Sequence, residues 1–210
     1  MQPAAKMLDL DAFQATALAH DPYDYLIVPG FLKREALGAI NADYPKIDKP
    51  GSFPSDTLDY GAAFAEFLDE LAGPACTAAF SEKFGIDLAR YPTTVTVRGM
   101  CQQKDGRIHT DTKSKIITVL VYMNPAWEGE GGRLRVLRSA NDLEDYAAEV
   151  PPIEGTLLAF RRSETSFHGH KPFVGPRRVV QLNWVTSEAG AWRETARHRV
   201  SAFFKRLRAA

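Results

Sequence analysis

The stretch from residue 105 to residue 124 reads DGRIHTDTKSKIITVLVYMN and contains a turn, two side chains that can bind a metal, and a strand. Its strand, Ile116–Tyr122, is β-branched and nearly all apolar, which is typical of a strand buried in a sheet. The Asp105-Gly106 dipeptide ahead of it predicts a turn. Further short strands separated by turns follow between about residues 91 and 186. This pattern predicts a β-sandwich or β-barrel core.

Helical patterns precede this β-rich part and follow it. Four helices are predicted before residue 91, and an amphipathic helix is predicted at about residues 190–208. We therefore expect an α+β fold in one domain, residues 1–210, with a helical part at about 1–90 laid on a β core at about 91–186. The predicted helices before residue 91 are Leu8–Leu18, Lys33–Tyr44, Phe64–Leu71 and Cys76–Phe84. A loop is predicted at 45–56. The other predicted strands are Tyr25–Gly30, Thr94–Gln103, Leu134–Leu137, Gly155–Phe160, Ser166–Lys171 and Val179–Val185.

The composition is that of an ordinary globular protein, because 45% of the residues are hydrophobic and 25% are charged. This balance excludes a disordered or fibrous chain. Lys+Arg and Asp+Glu both number 26, so the net charge is zero and no nucleic-acid partner is expected. Cys76 and Cys101 are too few for a disulfide framework and are predicted to be reduced thiols. Since the sequence shows neither a signal peptide nor a run of about 20 apolar residues, we expect a soluble, cytoplasmic protein without a membrane partner.

Three of the five histidines lie in the β-rich part, and one of them, His109, is followed two residues later by a second side chain that can bind a metal. His109 and Asp111 are two residues apart, so on an extended segment both side chains point to the same face. With one distant histidine, such a pair supplies the facial triad of a mononuclear non-haem Fe(II) site and leaves coordination positions open. Either His168 or His170 can be the distant ligand, because both point the same way on an extended segment.

Polar side chains on the apolar strands indicate a second binding function beside the predicted metal. Arg178 shares a strand face with apolar residues, where a cation is costly unless it meets an anion. A planar guanidinium is well suited to a carboxylate. Thr118 and Tyr122 place two hydroxyls on another apolar strand face. The apolar residues that share the face of Arg178 are Val180, Leu182 and Trp184.

Taken together, these residues resemble the Fe(II)- and 2-oxoglutarate-dependent dioxygenases, and within them the prolyl 4-hydroxylase-like branch. The resemblance covers roughly residues 91–186. The matching segments are DGRIHTD at 105–111, ITVLVYMN at 117–124, GGRLRV at 131–136, PIEGTLLAF at 152–160, and the stretch from His168 through Arg178 to Trp184.

The resemblance implies a double-stranded β-helix (a jelly roll) that binds Fe(II) through His109, Asp111 and His168. It also implies 2-oxoglutarate and O₂ as cosubstrates and ascorbate as a supporting reductant. Members of the family convert 2-oxoglutarate to succinate and CO₂ while they oxidise an unactivated C–H bond. Related halogenases carry a small residue in place of the aspartate, so the presence of Asp111 implies hydroxylation.

The resemblance further implies that Arg178 binds the C5 carboxylate of 2-oxoglutarate, helped by Tyr122 and Thr118. Upstream of the first histidine, members of the branch often have a tyrosine that contacts the cosubstrate. In this sequence that role is either vacant or taken by Arg98 or Gln102. The identity of the substrate stays open among a protein residue, a free amino acid and a small metabolite.

The remaining polar residues near the predicted site have two interpretations each. His170 is either a neighbour of the metal ligands or a substrate-side residue, and Arg161 and Arg162 are either a solvated pair or a contact to an acidic substrate group. Lys113 and Lys115 are predicted to be surface charges.

Two further segments also have two interpretations each. The loop from Trp127 to Gly132 is either a lid or a plain connection. The basic helix predicted within residues 193–208 either packs its aromatic side chains on the domain or contacts an anionic partner.

Two other functions are compatible with the same fold. One is a non-catalytic jelly-roll binding module, which the complete triad disfavours. The other is a cupin-like metalloenzyme that does not use 2-oxoglutarate, which Arg178 disfavours.

Overall fold

The computed structural model describes residues 6–187 and residue 189. In this part of the chain, all four helices predicted before residue 91 are present. The side chain of Asp9 caps the first of them by accepting a hydrogen bond from the backbone N–H of Ala12. Pro74 occupies the first turn of the fourth, and Gly85 ends it in the left-handed region, at a φ of 64°. The helices are α1 (Leu10–Ala15), α2 (Arg34–Ala42), α3 (Ala62–Leu71) and α4 (Pro74–Phe84), and 3₁₀ turns lie at Ser55–Thr57 and Leu88–Arg90.

Antiparallel strands form two sheets in the described residues. The larger sheet has the strand order β1-β7-β4-β9-β3-β2, and the smaller has the order β6-β5-β8. Together they make the expected jelly-roll core of an α+β fold. The strands are β1 (Tyr25–Val28), β2 (Phe53–Pro54), β3 (Thr93–Cys101), β4 (Lys115–Tyr122), β5 (Leu134–Leu137), β6 (Tyr146–Val150), β7 (Leu157–Arg161), β8 (His168–Gly169) and β9 (Gly175–Val185).

The larger sheet buries both of its faces. Alternate residues of a strand point to opposite faces, so β4 and β9 each contribute to two different cores. One face packs against the helices; there Trp184 of β9 lies 5.1 Å from Phe80 of α4, measured between ring centroids. The other face packs against the smaller sheet. The side chains of β4 and β9 on the helix face are Ile117, Val119, Val121, Val180, Leu182 and Trp184, and those in the core between the sheets include Tyr122 and Val179.

Three features of the fold depart from the sequence predictions or lie outside them. Strand β6 was not predicted, because its segment is mostly half-exposed and has no apolar run. The segment predicted as a loop at 45–56 contains the short strand β2, which pairs with β3. The helix predicted at about residues 190–208, with its basic stretch at 193–208, lies outside the described residues.

The longest helix within residues 6–187 has 11 residues, and none there is long and apolar enough to cross a bilayer. Cys76 and Cys101 are both buried and free, as expected of reduced thiols.

Candidate active site

The structure brings His109, Asp111 and His168 together between the two sheets. One ligand atom from each residue lies within 4.8 Å of the other two. The two histidines are held at this distance by their own backbones, because each N–H donates to the carbonyl of the other, at 3.1 and 3.0 Å. His170 is not part of this cluster, so the structure places His168 in the position of the distant ligand.

Backbone carbonyl groups fix the orientation of both imidazole rings. Nδ1 of His109 lies 2.8 Å from the carbonyl oxygen of Arg107, and Nδ1 of His168 lies 3.0 Å from that of Ser166. A carbonyl can only accept a hydrogen bond, so Nδ1 carries the proton in each ring and Nε2 keeps its lone pair. Burial lowers the pKa of His168 to about 4, which keeps this imidazole neutral near pH 7. His168 therefore has the form that binds a metal ion, and in both rings Nε2 is the nitrogen that the backbone bond leaves available.

Asp111 is held by donors on both of its carboxylate oxygens. Lys115 Nζ lies 2.9 Å from Oδ1, and the Thr118 hydroxyl donates to Oδ2 at 2.6 Å. Burial by itself raises the pKa of Asp111, but the Lys115 ammonium, His168 and the Thr118 hydroxyl outweigh it and hold that pKa well below its usual range. The aspartate is therefore an ionised ligand with a fixed orientation.

Of the cations near Asp111, Lys115 was predicted incorrectly from the sequence, and the role of Arg162 was left open between two interpretations. Lys115 is a buried partner of the Asp111 carboxylate, with only 6% of its side chain exposed. Arg162 has 13% of its side chain exposed and donates from Nε to the Asp111 carbonyl at 3.2 Å, so it does not belong to a solvated pair. Lys113 is exposed, in agreement with the prediction, and Arg161 is exposed as well. The available sequence signal for Lys115 is its position, four residues after Asp111 and at the start of an apolar strand.

Arg177, and not Arg178, is the arginine of β9 that lines the cavity at this cluster. Arg178 does share a strand face with Val180, Leu182 and Trp184, but that face points to the helices. Its guanidinium lies 5.1 Å from the centroid of the Tyr44 ring. The alternation along the strand sends the preceding residue, Arg177, to the opposite face, where Val179 and Gln181 also line the cavity. The structure therefore places Arg177 at the cavity instead of the neighbouring Arg178, which was predicted there.

In the described part of the chain, Arg177 in the cavity wall and the adjacent Tyr122 carry buried hydrogen-bonding groups without partners. Arg177 is buried, and its guanidinium lies 5.4 Å from the centroid of the Tyr122 ring. Among the described residues, neither Arg177 Nη2 nor the Tyr122 hydroxyl has a hydrogen-bond partner. Burial raises the pKa of Tyr122, so its phenol keeps the proton that it can donate. An unsatisfied buried polar group costs about 1–3 kcal/mol, and an anion placed here would remove that cost.

Residues on β3 and beside β8 complete the cavity wall. Arg98 lines it and contacts Asp105 at 3.3 Å, whereas Gln102 bonds to Asp105 and is not among the lining residues in the described part of the chain. His170 lines the wall with Nδ1 bonded to the Lys171 carbonyl, and burial lowers its pKa to about 4. Its ring packs directly on Gly106, where an added Cβ would lie 2.3 Å from Nδ1. Of the two residues considered for the open role upstream of the metal cluster, Arg98 lies in the cavity wall, and Gln102 does not line it in the described part of the chain.

The sequence of this region matches a known family. Residues 95–186, which include the metal cluster and Arg177, match the model of the 2OG-Fe(II) oxygenase superfamily. This part of the chain is therefore similar to that superfamily. No curated protein matches the sequence.

Solved structures with a similar fold include three prolyl hydroxylases. The Pseudomonas putida prolyl-4-hydroxylase has a TM-score of 0.57 at 15% identity, over 89% of this chain and 100% of that one. A Phytophthora capsici prolyl 4-hydroxylase has a TM-score of 0.56 at 15% identity, over 90% of this chain and 69% of that one. The viral collagen prolyl hydroxylase of Paramecium Bursaria Chlorella virus-1, in its 2-oxoglutarate complex, has a TM-score of 0.51 at 19% identity, over 77% and 96%. At these identities the likeness concerns the fold.

The residues of the site fit the cofactors of a 2OG-Fe(II) oxygenase, which are Fe(II), 2-oxoglutarate and O₂. Two imidazoles and one carboxylate are the ligands that such an iron site requires, and they leave coordination positions open. The unpartnered donors of Arg177 and Tyr122 fit a carboxylate group of the cosubstrate.

Proposed function

We propose that this protein hydroxylates an aliphatic carbon of a protein residue, a free amino acid or a small metabolite, with release of succinate and CO₂. One observation carries the proposal: a triad of metal ligands with fixed Nε2 lone pairs shares a cavity with a buried arginine that has an unpartnered donor. These two features match the two ends of 2-oxoglutarate, which chelates a metal at one end and carries a free carboxylate at the other.

Each residue has a separate task in this proposal. His109, Asp111 and His168 hold Fe(II), and Arg177 with Tyr122 binds the distal carboxylate of 2-oxoglutarate. When bound, these cofactors supply the oxidising chemistry: one atom of O₂ enters the substrate C–H bond, and the other enters the succinate formed as CO₂ leaves. The protein orients the reactants, and the apolar side chains in the cavity wall limit the access of water to them; these are Leu120, Leu134, Phe160 and Val179.

The carboxylate of Asp111 favours hydroxylation over halogenation. A halide that binds the metal needs the coordination position that a ligand carboxylate fills. Here both oxygens of Asp111 are already oriented by Lys115 and Thr118, so this ligand is well ordered. The two buried free thiols support our accompanying proposal that the protein works in the reducing environment of the cytoplasm.

The test is an anaerobic titration of the metal-free protein with Fe(II) and then with 2-oxoglutarate, in which the visible absorption band of the iron-chelated cosubstrate is recorded. We expect the band in the wild-type protein and in the control Val174→Ala, an exposed position, and its loss in His109→Ala and Asp111→Ala. On admission of air, the proteins that show the band should form succinate.

Two outcomes would overturn the proposal. Iron binding without the band would indicate a metalloenzyme of the cupin type that does not use 2-oxoglutarate. A protein that binds neither iron nor 2-oxoglutarate would be a non-catalytic binding module.

A further inference from the structure

The loop between β4 and β5, residues 123–133, passes next to Arg177 and holds its side chain. The Nε of Arg177 donates to the backbone carbonyl of Gly132 at 2.8 Å, and this bond is buried. A guanidinium group is planar, so a bond at Nε restricts the directions in which the two terminal nitrogens can point. The position of the Gly132 carbonyl therefore determines where Arg177 presents its remaining donors.

Gly132 is itself held in place by its surroundings. Its N–H donates to the carbonyl of Lys171 at 3.0 Å, and its backbone has a φ of 77°, which strongly favours glycine. A Cβ at this position would lie 2.6 Å from Cζ2 of Trp127. The indole ring therefore lies directly against the backbone that carries the bond to Arg177.

Trp127 also connects two loops at this point. Its Nε1–H donates to the carbonyl of Gly131 at 3.0 Å, and its ring centroid lies 4.5 Å from that of Phe173, in the loop between β8 and β9. One side chain thus bonds to the residue before Gly132, packs on Gly132, and packs on the loop that leads into Arg177.

We propose that Trp127 is a positioning residue for Arg177. Its ring and its N–H hold the Gly131–Gly132 backbone so that the Gly132 carbonyl orients the arginine toward the distal carboxylate of 2-oxoglutarate. The inference rests on the proposed function, since Arg177 has this task only if the protein binds 2-oxoglutarate.

The experiment compares two ligands that differ at the end that Arg177 would bind. Both 2-oxoglutarate and oxalate can chelate a metal, but oxalate has no distal carboxylate that reaches Arg177. Dissociation constants are measured by calorimetry on the full-length protein loaded with Mn(II), which needs no turnover. The variants are Trp127→Phe, Trp127→Leu, Arg177→Ala and, as the matched control in the neighbouring loop, Val174→Ala.

Trp127→Phe keeps an aromatic ring but loses one hydrogen bond, so we expect 2-oxoglutarate to bind about 2- to 10-fold more weakly. Trp127→Leu also loses the ring contact with Phe173, and we expect a larger weakening. Oxalate affinity should stay within about 2-fold of wild type in both variants, and Val174→Ala should change neither ligand by more than that.

The outcomes separate the positioning role from the proposed function. Unchanged 2-oxoglutarate affinity in both Trp127 variants, with a loss in Arg177→Ala, would overturn the role of Trp127 alone. Equal weakening of oxalate and 2-oxoglutarate would also overturn it, because general damage to the site would then explain the effect. A wild-type protein that does not bind 2-oxoglutarate, or an Arg177→Ala variant that binds it normally, would overturn the proposed function as well.

Discussion

Replacing Lys115 with methionine should destabilise the metal-free protein and make it more dependent on a bound metal ion. Lys115 Nζ lies 2.9 Å from Asp111 Oδ1, and 6% and 9% of the two side chains are exposed. At an effective dielectric constant of about 20, charges at this distance attract each other by about 6 kcal/mol, and desolvation offsets part of this attraction. Removing one partner of a buried pair costs about 3–5 kcal/mol, because the other charge is left uncompensated.

For a chain of this length, that loss corresponds to a decrease in Tm of about 6–20 °C. A divalent cation bound to Asp111 would compensate the carboxylate in place of the ammonium group. The increase in Tm on addition of Mn(II) should therefore be larger in Lys115→Met than in the wild-type protein.

Thermal unfolding of the metal-free and Mn(II)-loaded proteins measures both effects. Lys113→Met is the matched control, because Lys113 has 83% of its side chain exposed and pairs only loosely with Glu164, at 3.7 Å. Its Tm should change by no more than about 2 °C. An unchanged Tm in metal-free Lys115→Met, or the same Mn(II)-induced increase in Lys115→Met and wild type, would refute the reasoning.

Three further substitutions test other parts of the site. Arg177→Ala should weaken 2-oxoglutarate binding about 10- to 150-fold, since a hydrogen bond to a charged group contributes about 1.5–3 kcal/mol. Arg178→Ala should change the affinity for 2-oxoglutarate less than about 3-fold. Both affinities are measured by calorimetry, and a larger effect of Arg178→Ala than of Arg177→Ala would contradict the placement of the two side chains. Thr118→Val removes a donor to Asp111 and should lower Mn(II) affinity about 10- to 100-fold in a metal titration, whereas unchanged affinity would show that this bond is unimportant. Gly106→Ala places a Cβ against a neighbouring imidazole at a φ of 84°, so it should lower the Tm by several degrees in a thermal melt, and an unchanged Tm would show that the contact relaxes freely.

The metal cluster could be predicted from the sequence because its residues are distinctive in type and spacing. A His-x-Asp pair on an extended segment points to one face whatever the rest of the fold does, and the structure places His109 and Asp111 accordingly. The choice between His168 and His170 could not be made from alternation alone. It depends on the exchange of hydrogen bonds between the backbones of His109 and His168, which is a contact between distant parts of the chain.

The sequence indicated Arg178 instead of Arg177 as the arginine of the cavity. Strand alternation shows which residues share a face, but it does not show which of the two faces borders the cavity. Both faces of β9 are buried, one under the helices and one between the sheets. An apolar face with one cation was therefore equally compatible with either environment. Only the tertiary structure shows that Arg178 packs on Tyr44 and that Arg177 lines the cavity. A shift of one residue along a strand exchanges every side chain between faces.

Burial of the charged residues near Asp111 also depended on tertiary contacts. Arg162 has no local pattern that separates it from the exposed Arg161, and the only local signal for Lys115 is its position four residues after Asp111, at the start of an apolar strand. Both are buried because the loop that carries Asp111 lies against the start of β4 and the end of β7. There Lys115 donates to the Asp111 carboxylate, and Arg162 donates to the Asp111 backbone carbonyl.

The helices that cover the larger sheet limit how far the protein can be shortened. A fragment of residues 95–186 would keep all three metal ligands and Arg177, but it would expose the face that contains Ile117 and Trp184 to water. Each large apolar side chain that becomes exposed in the fragment would lower the free energy of unfolding by about 1.5–3 kcal/mol. Removal of β1 would also leave β7 as an unpaired edge strand of the larger sheet. Such a fragment should aggregate when it is expressed, so a minimal recombinant version of this protein has to retain helices α1–α4, although these four helices contribute no residue to the metal cluster.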